Sequence, residues 1–212
     1  MLKQSQLIPQ SFYREDDPVE IAKELIGKII VTETNGVRTS GMITESEAYW
    51  APHDLASHAR NFTRTPRNEM MYAAPGKAYV YICYGIHQLF NVVTGPEEVP
   101  HAVLIRAIEP IEGIEIQKKR RKFLLTKAAL SSGPGSLTKC LDISMNDNGL
   151  ELWNPKSRLR IENHNVKIQD NEIVSTPRIG VESSGESALL HYRFVLKTSK
   201  YLSAMSFTKK YF

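Results

Sequence analysis

The sequence is poor in cysteine and contains no long apolar run. Its two cysteines, Cys83 and Cys140, do not form a zinc-ligand motif, and two thiols cannot build a disulfide framework. No segment reaches the roughly 18 consecutive apolar residues that span a bilayer, and the first residues lack the apolar run of a signal peptide. We therefore expect a soluble intracellular chain with reduced thiols, no metal, no cofactor and no membrane partner. The absence of a targeting segment favours a bacterial cytoplasm over a nucleus.

Charge is only mildly unbalanced. The formal net charge is +4, and hydrophobic residues make up 42% of the 212 residues. This content is enough for a packed core, and the length suits one domain. A small basic excess is compatible with binding a phosphate backbone, but many ordinary proteins share it. Composition alone therefore leaves the partner open.

Turn residues and hydrophobic periodicity predict an α+β fold. Residues 1–13 are expected to form an irregular arm, and residues 14–212 one domain. Asp17 before Pro18 is typical of a helix start, and Asn35-Gly36 is typical of a type I′ hairpin. We expect a single mixed domain with a curved, largely antiparallel sheet, peripheral helices and a protruding β-hairpin. The remaining predicted elements are a helical turn at 68–72, a strand meander at 78–110, a basic helix at 112–127, a short helix after the 133–135 turn, and short strands at 159–163, 172–181 and 189–197.

The densest set of chemical groups lies between Glu45 and Arg67. Strand alternation places Glu45, Glu47 and Tyr49 on one face of the predicted strand at 37–49. A carboxylate beside an aromatic wall can act as a general base. An isolated strand glutamate, however, is far more often a solvent-exposed residue.

Basic and imidazole groups follow directly in the same segment. Arg60, Arg64 and Arg67 suggest a bound polyanion. His58 could contact a substrate, or could hold a metal with His53 and Asp54. Their spacing does not fit a metal-binding pair on a helix, and a loop histidine is more often simply exposed.

Aromatic residues and one arginine mark the predicted meander. Tyr79 and Tyr81 share a strand face, and Tyr84 precedes Gly85 at a turn. They are either ordinary strand aromatics or a pocket wall with a wedge that enters a duplex. Arg106 interrupts an apolar strand, so it should face a charge or a polar site. It could pair with Glu47 structurally or hold a water against that carboxylate.

Several motifs together resemble the alkyladenine DNA glycosylase family, the 3-methyladenine DNA glycosylases of the mammalian type. The similarity runs from about Ile21 to Lys197, and its specificity lies in the order of the motifs. The matching segments are ITESEAY, HAR, TPRN, YVYICYG, LFNVV, AVLIRAIEP, SGPG and PRIGV.

The resemblance implies roles for individual positions. Glu47 matches the general base that activates water, Arg106 helps to hold that water, and the backbone carbonyl of Ile179 contacts it. Glu45 receives no catalytic role. The remaining matches are Tyr49, His58, Tyr81 and Asn91 around the flipped base, Tyr84 as the intercalating residue, and Arg60, Thr65 and Arg67 as DNA backbone contacts.

The implied activity is base-excision repair. The enzyme would flip alkylated or deaminated purines out of double-stranded DNA and hydrolyse the N-glycosidic bond, acting as a monomer without a lyase step. Two positions depart from the family pattern, since Ser136 stands where a lysine is expected and His87 replaces an aromatic residue. The alternatives are a non-enzymatic lesion sensor, which would not need Glu47, and a metal-dependent nuclease, which would need clustered ligands.

Overall fold

The structure, a computed structural model, describes residues 6–122, 130–164 and 167–212. Within these ranges nine strands form one sheet, accompanied by four α-helices. Among the described residues, none of the helices combines the length and apolar composition needed to cross a membrane. The strands are β1 (Gln6–Leu7), β2 (Ile29–Thr34), β3 (Val37–Trp50), β4 (Ala78–Cys83), β5 (His87–Thr94), β6 (His101–Glu112), β7 (Leu159–Asn163), β8 (Ile173–Thr176) and β9 (Arg193–Leu196), and the helices are α1 (Pro18–Glu24), α2 (Ile114–Arg120), α3 (Pro134–Leu141) and α4 (Met205–Thr208).

The sheet branches at its long central strand. Its main order is β1-β7-β2-β3-β6-β5-β4, and the pairings are antiparallel. Strand β3 pairs with β6 along one side. On its other side the first half pairs with β2, and Glu45 to Glu47 pair with β9. The prediction of a single α+β domain with a largely antiparallel sheet is confirmed.

Local sequence signals explain several boundaries. The Asp17 carboxylate accepts hydrogen bonds from the amides of Val19 (2.7 Å) and Glu20 (3.3 Å), which caps α1. Asn35 and Gly36 both have positive φ, at 51° and 76°, as a type I′ turn requires. The turn predicted at 68–72 is a 3₁₀ helix at Glu69–Tyr72, and the meander is β4-β5-β6.

Some elements differ from the sequence prediction. The strand expected at 172–181 ends at Thr176, because Pro177 cannot donate to a ladder. The last strand is only Arg193–Leu196, preceded by a 3₁₀ helix at Gly185–Leu189. The helix after the Gly-Pro-Gly turn already begins at Pro134, since proline suits the first turn of a helix. Helix α2 ends at Arg120, and residues 123–127 of the predicted helix lie outside the described residues.

Residues 6–13, expected to be irregular, pack on the rest of the chain. Gln6–Leu7 pairs with β7, and the side chains of Ile8 and Tyr13 are buried. Burial of these apolar groups offsets the entropy of ordering the segment. The boundary between an arm and a domain stays a prediction.

Two hydrophobic clusters support the sheet. The larger one includes Ile21 on α1, Ile105 on β6 and Leu137 on α3. The smaller one includes Met71, Tyr72 and Tyr79 and joins the segment after β3 to strands β4 to β6. This smaller cluster anchors the loop that carries the basic residues.

Candidate active site

Glu47 is fully buried in the half of β3 that lies between β6 and β9. Its Oε2 accepts hydrogen bonds from the Tyr49 hydroxyl (3.0 Å) and from Nη1 of Arg106 (3.1 Å). Its Oε1 accepts a hydrogen bond from the backbone N–H of Ile179 (2.8 Å). The structure thus brings the three predicted catalytic residues together at one carboxylate, and it places Tyr49 on the same strand face.

Arg106 lies between two buried carboxylates. Its Nε donates to Glu45 (3.1 Å) and its Nη1 to Glu47 (3.1 Å). Burial opposes the charged guanidinium, but Glu47 and Glu45 outweigh that effect and raise the pKa of Arg106. Arg106 therefore stays cationic and supplies positive charge at the site.

Glu45 forms an ion pair with a second arginine. Arg193, also fully buried, donates from Nε to Glu45 (2.7 Å). The backbone N–H and the hydroxyl of Ser203 each donate to the same carboxylate at 2.6 Å. Arg193 balances the negative charge of Glu45. The positive charge of Arg106 therefore also acts on Glu47. Glu45 connects β3 to β9 and to the segment before α4.

A cavity of about 170 Å³ opens beside this cluster. The rings of Tyr79 and Tyr81 stack with centroids 5.4 Å apart, and the His58 ring meets Tyr81 edge-on at 4.6 Å. The Asn91 amide donates to the backbone carbonyl of Tyr79 (3.1 Å). The predicted substrate-binding residues Tyr49, His58, Tyr81 and Asn91 thus line one cavity, and their roles stay predictions.

The imidazole and the phenols of the cavity are held neutral. His58 Nδ1 hydrogen-bonds with the Tyr79 hydroxyl (3.0 Å). The pKa of His58 is lowered to about 4, first by loss of solvation and then by the charges of Arg67 and Arg60. Burial, followed by the charge of Glu47, raises the pKa of Tyr49 well above its usual value. At neutral pH the cavity therefore presents an uncharged imidazole and uncharged phenols.

The β4-β5 hairpin presents an exposed aromatic tip. The Tyr84 side chain is 91% exposed and its φ is 50°. Ile82 and Ile86 beside it are also exposed. The hairpin is braced next to its tip, because His87, the first residue of β5, packs closely against Gly135; a Cβ atom at position 135 would lie 3.0 Å from the His87 Nδ1. This geometry is compatible with the predicted intercalating role of Tyr84.

The predicted DNA backbone contacts are all exposed residues between β3 and β4. Arg60 and Arg67 face solvent; Arg67 also donates to the carbonyl of Ile82 (3.2 Å) and lies 5.2 Å from the Tyr81 ring. Thr65 donates its hydroxyl to the side chain of Asn68 (3.0 Å). Arg67 therefore links the basic loop to the hairpin and the cavity.

Arg64 has a different environment from its neighbours. It forms ion pairs with Glu69 (2.6 Å) and Glu98 (2.6 Å). Its positive charge is therefore already balanced within the protein, unlike what the sequence suggested. Phe62 on the same loop is 60% exposed and has a positive φ of 56°.

Sequence reasoning missed the residue that shapes this loop. The buried Asn68 accepts from the Thr65 amide (2.7 Å) and donates to the carbonyls of His58 (2.8 Å) and Thr63 (2.8 Å). The TPRN motif, which contains Asn68, is a signal in the sequence. The residue type alone does not indicate that this side chain shapes the loop.

A second missed feature is the pair of Arg178 and Asp54. The two side chains are fully buried and form two hydrogen bonds, of 2.5 Å and 2.7 Å. The sequence suggests for Asp54 only a role as a metal ligand beside His53 and His58. Across the described ranges, no group of three or more His, Cys, Asp or Glu side chains is arranged to hold a metal ion.

Comparison with known proteins identifies relatives along nearly the whole chain. A family profile described as methylpurine-DNA glycosylase matches residues 11–200. Proteins named "Putative 3-methyladenine DNA glycosylase" include one from Chlamydia abortus, 44% identical over 191 residues, which cover 90% of this chain and 98% of the relative. One from Bacillus cytotoxicus is 39% identical over 201 residues, covering 92% and 98%.

These similarities include the segments that build the site. The matched range contains Glu47, Arg106 and Ile179, together with the cavity residues and the hairpin tip. The family that sequence motifs indicated is confirmed. The chain belongs to the methylpurine-DNA glycosylase family and is a DNA glycosylase, a hydrolase of base-excision repair.

Proposed function

We propose that this protein flips alkylated or deaminated purines out of double-stranded DNA and hydrolyses their N-glycosidic bond with an activated water. The observation that carries the proposal is the fully buried Glu47, held by Arg106, Tyr49 and the Ile179 amide beside an aromatic cavity. A base inside a duplex cannot be reached by such a carboxylate. Extrusion costs a few kcal/mol, and the cavity walls offset that cost by stacking.

Glu47 acts as the general base. It accepts a proton from a water whose oxygen bonds to the sugar C1′, while the C1′–N bond breaks and its electrons leave with the base. The carboxylate also stabilises the positive charge that develops on the sugar. Arg106 and the Ile179 carbonyl hold the water. A base that already carries positive charge, such as 3-methyladenine, leaves as a neutral molecule, whereas a neutral base such as hypoxanthine must take up a proton to do so.

The cavity residues select and hold the flipped base. Tyr49 and Tyr81 stack on the purine, and stacking also favours a cationic alkylated ring. His58 is neutral, so it can hydrogen-bond to the base without repelling positive charge. Asn91 excludes the exocyclic amine of guanine.

The exposed face beside the cavity binds the duplex. Tyr84 enters the stack and fills the space that the flipped nucleotide leaves. Arg60, Thr65 and Arg67 contact the phosphate backbone, which positions the protein without reading sequence. The protein acts as a monomer, and the bacterial origin of the relatives supports a bacterial cytoplasm.

Because water is the nucleophile, the product is an intact strand with an abasic site. Duplex DNA treated with a methylating agent should release 3-methyladenine, identified by mass spectrometry, and the strand should break only after alkali. Strand breaks without alkali, or trapping of a covalent complex by borohydride, would contradict the monofunctional reaction. Excision should persist in EDTA; a requirement for added metal would favour a nuclease.

Replacement of the general base gives the central prediction. Glu47→Gln should abolish base release, because an amide cannot accept the proton of water, while binding to lesion-containing duplex persists. Single-turnover release and gel-shift binding measure the two effects. Glu109→Gln, on β6 and outside the cavity lining, is the matched control and should retain activity. Retained excision by Glu47→Gln would refute the assignment of the base.

A further inference from the structure

Arg178 and Asp54 form a buried pair that joins the surroundings of Glu47. Arg178 donates from Nη1 to Asp54 Oδ2 (2.5 Å) and from Nη2 to Oδ1 (2.7 Å). The guanidinium also donates to the backbone carbonyls of Ala48 (2.8 Å) and Ser187 (3.0 Å). These contacts connect β3, the loop after it and the 3₁₀ helix at Gly185–Leu189. A planar guanidinium whose two terminal nitrogens make these four hydrogen bonds has one geometry.

Two of the donors to Glu47 depend on this pair. Ile179, whose N–H donates to Glu47, directly follows Arg178 in the chain. Tyr49, whose hydroxyl donates to Glu47, has its ring covered by Arg178, with Cζ 4.8 Å from the ring centroid. Fixing Arg178 therefore fixes both the backbone N–H and the phenol that orient the carboxylate.

The Asp54 end of the pair is equally constrained. Its Oδ2 accepts from the Trp50 amide (3.2 Å) and its Oδ1 from the Ala56 amide (3.1 Å). The carboxylate thereby shapes the turn that follows β3, while Arg178 is held from the opposite segment. Burial opposes the charge of Arg178, but the hydrogen bonds and charge of Asp54 outweigh it and raise the pKa of Arg178.

We propose that the Asp54–Arg178 pair is a positioning device for the general base, acting on Glu47 through Tyr49 and the Ile179 amide. Neither member lines the cavity, so the pair acts through other residues. The pair holds the carboxylate at a fixed angle to the water and to the sugar. The inference rests on the proposed function and adds two residues to it.

Arg178→Lys tests the proposal because it keeps the positive charge but loses the two parallel hydrogen bonds to Asp54. Misplacement of a catalytic group by about 1 Å can cost roughly 100-fold in rate, so single-turnover base release from methylated duplex should fall about 10- to 100-fold. Binding to a duplex that contains a stable abasic-site analogue should be unchanged. A merely structural role would lower rate and binding together.

Matched variants complete the experiment. Arg158→Lys alters another arginine, which pairs with the buried Asp147 and donates to the carbonyl of Asp142, outside the cavity lining. It should leave the rate constant of base release unchanged. Asp54→Asn, which retains the shape and one acceptor oxygen, should reproduce the loss of rate with retained binding. Melting curves confirm that each variant is folded at the assay temperature.

The outcomes separate the inference from the proposed function. A wild-type protein that binds methylated DNA but releases no base would refute the function. Active wild type with a full rate in folded Arg178→Lys would refute only the positioning role. If Arg178→Lys does not fold, Asp54→Asn decides the question. Failure of both to fold would assign the pair to stability alone and overturn the inference.

Discussion

At the scale of single residues, Tyr84 combines an exposed ring with a strained backbone. Its side chain is 91% exposed and its φ of 50° lies in the left-handed region, where a residue with a Cβ atom costs about 1 to 2 kcal/mol. Neither property stabilises the fold. The positive φ belongs to the turn between β4 and β5, in which Gly85 also has a positive φ, and this turn presents the Tyr84 ring to solvent.

Tyr84→Asn should therefore separate stability from binding. Asparagine tolerates the left-handed conformation, so the urea midpoint should stay the same or rise. Loss of the ring should weaken binding to lesion duplex by about 1 to 3 kcal/mol, the contribution of one stacked base. Fluorescence anisotropy measures the affinity. Phe212→Ser, which removes another exposed aromatic ring, is the control and should not change it.

At the scale of elements, the loop between β3 and β4 has little regular structure. It contains 3₁₀ turns at Arg60–Phe62 and Glu69–Tyr72, and its shape depends on the side chain of Asn68. That side chain connects His58, which borders the cavity, to Thr65, on the predicted DNA face. The buried side-chain amide of Asn68 therefore fixes the cavity residue His58 and the exposed residue Thr65 relative to each other.

Asn68→Ala should loosen this loop and leave the sheet intact. Buried groups left without partners cost about 1 to 3 kcal/mol, so the free energy of unfolding should fall by that order. Hydrogen exchange should accelerate at Thr65, whose amide loses its acceptor. Binding to lesion duplex should weaken. Asn154→Ala removes a side chain of a separate turn and should not affect exchange in the loop; equal acceleration in both would contradict the prediction.

At the scale of the whole molecule, two histidines connect stability to pH. Burial lowers the pKa of His58 from 6.5 to about 4 and also lowers the pKa of His101. Below pH 6.5 the unfolded chain takes up protons that the folded chain does not bind. Stability is therefore complete above that pH and decreases as the pH falls toward about 4.

The urea midpoint should accordingly fall between pH 7.5 and pH 5. This pH window lies above 4.5, the ordinary pKa of the ion-paired Glu33, Glu69 and Glu112. The change in the urea midpoint within it therefore reports mainly on histidines. His58→Gln should show a smaller decrease than wild type, because one of the two groups is gone. An unchanged or rising midpoint in wild type would contradict the assignment.

The local features of this protein follow from its amino-acid sequence alone. Period-2 alternation placed Glu47 and Tyr49 on one face, Asn35-Gly36 specified a hairpin, and the order of the motifs identified the family. These features depend on neighbours along the chain, where backbone geometry sets the outcome.

The pairing of the buried charges, in contrast, depends on how distant parts of the chain pack together. Two glutamates of one strand face acquire different partners, because Arg193 reaches Glu45 from 148 residues away, while the Ile179 amide reaches Glu47 from 132 residues away. Asp54 and Arg178 are likewise separated by 124 residues. Coulomb and hydrogen-bond energies depend on distances in space. Those distances exist only once the strands have assembled around β3.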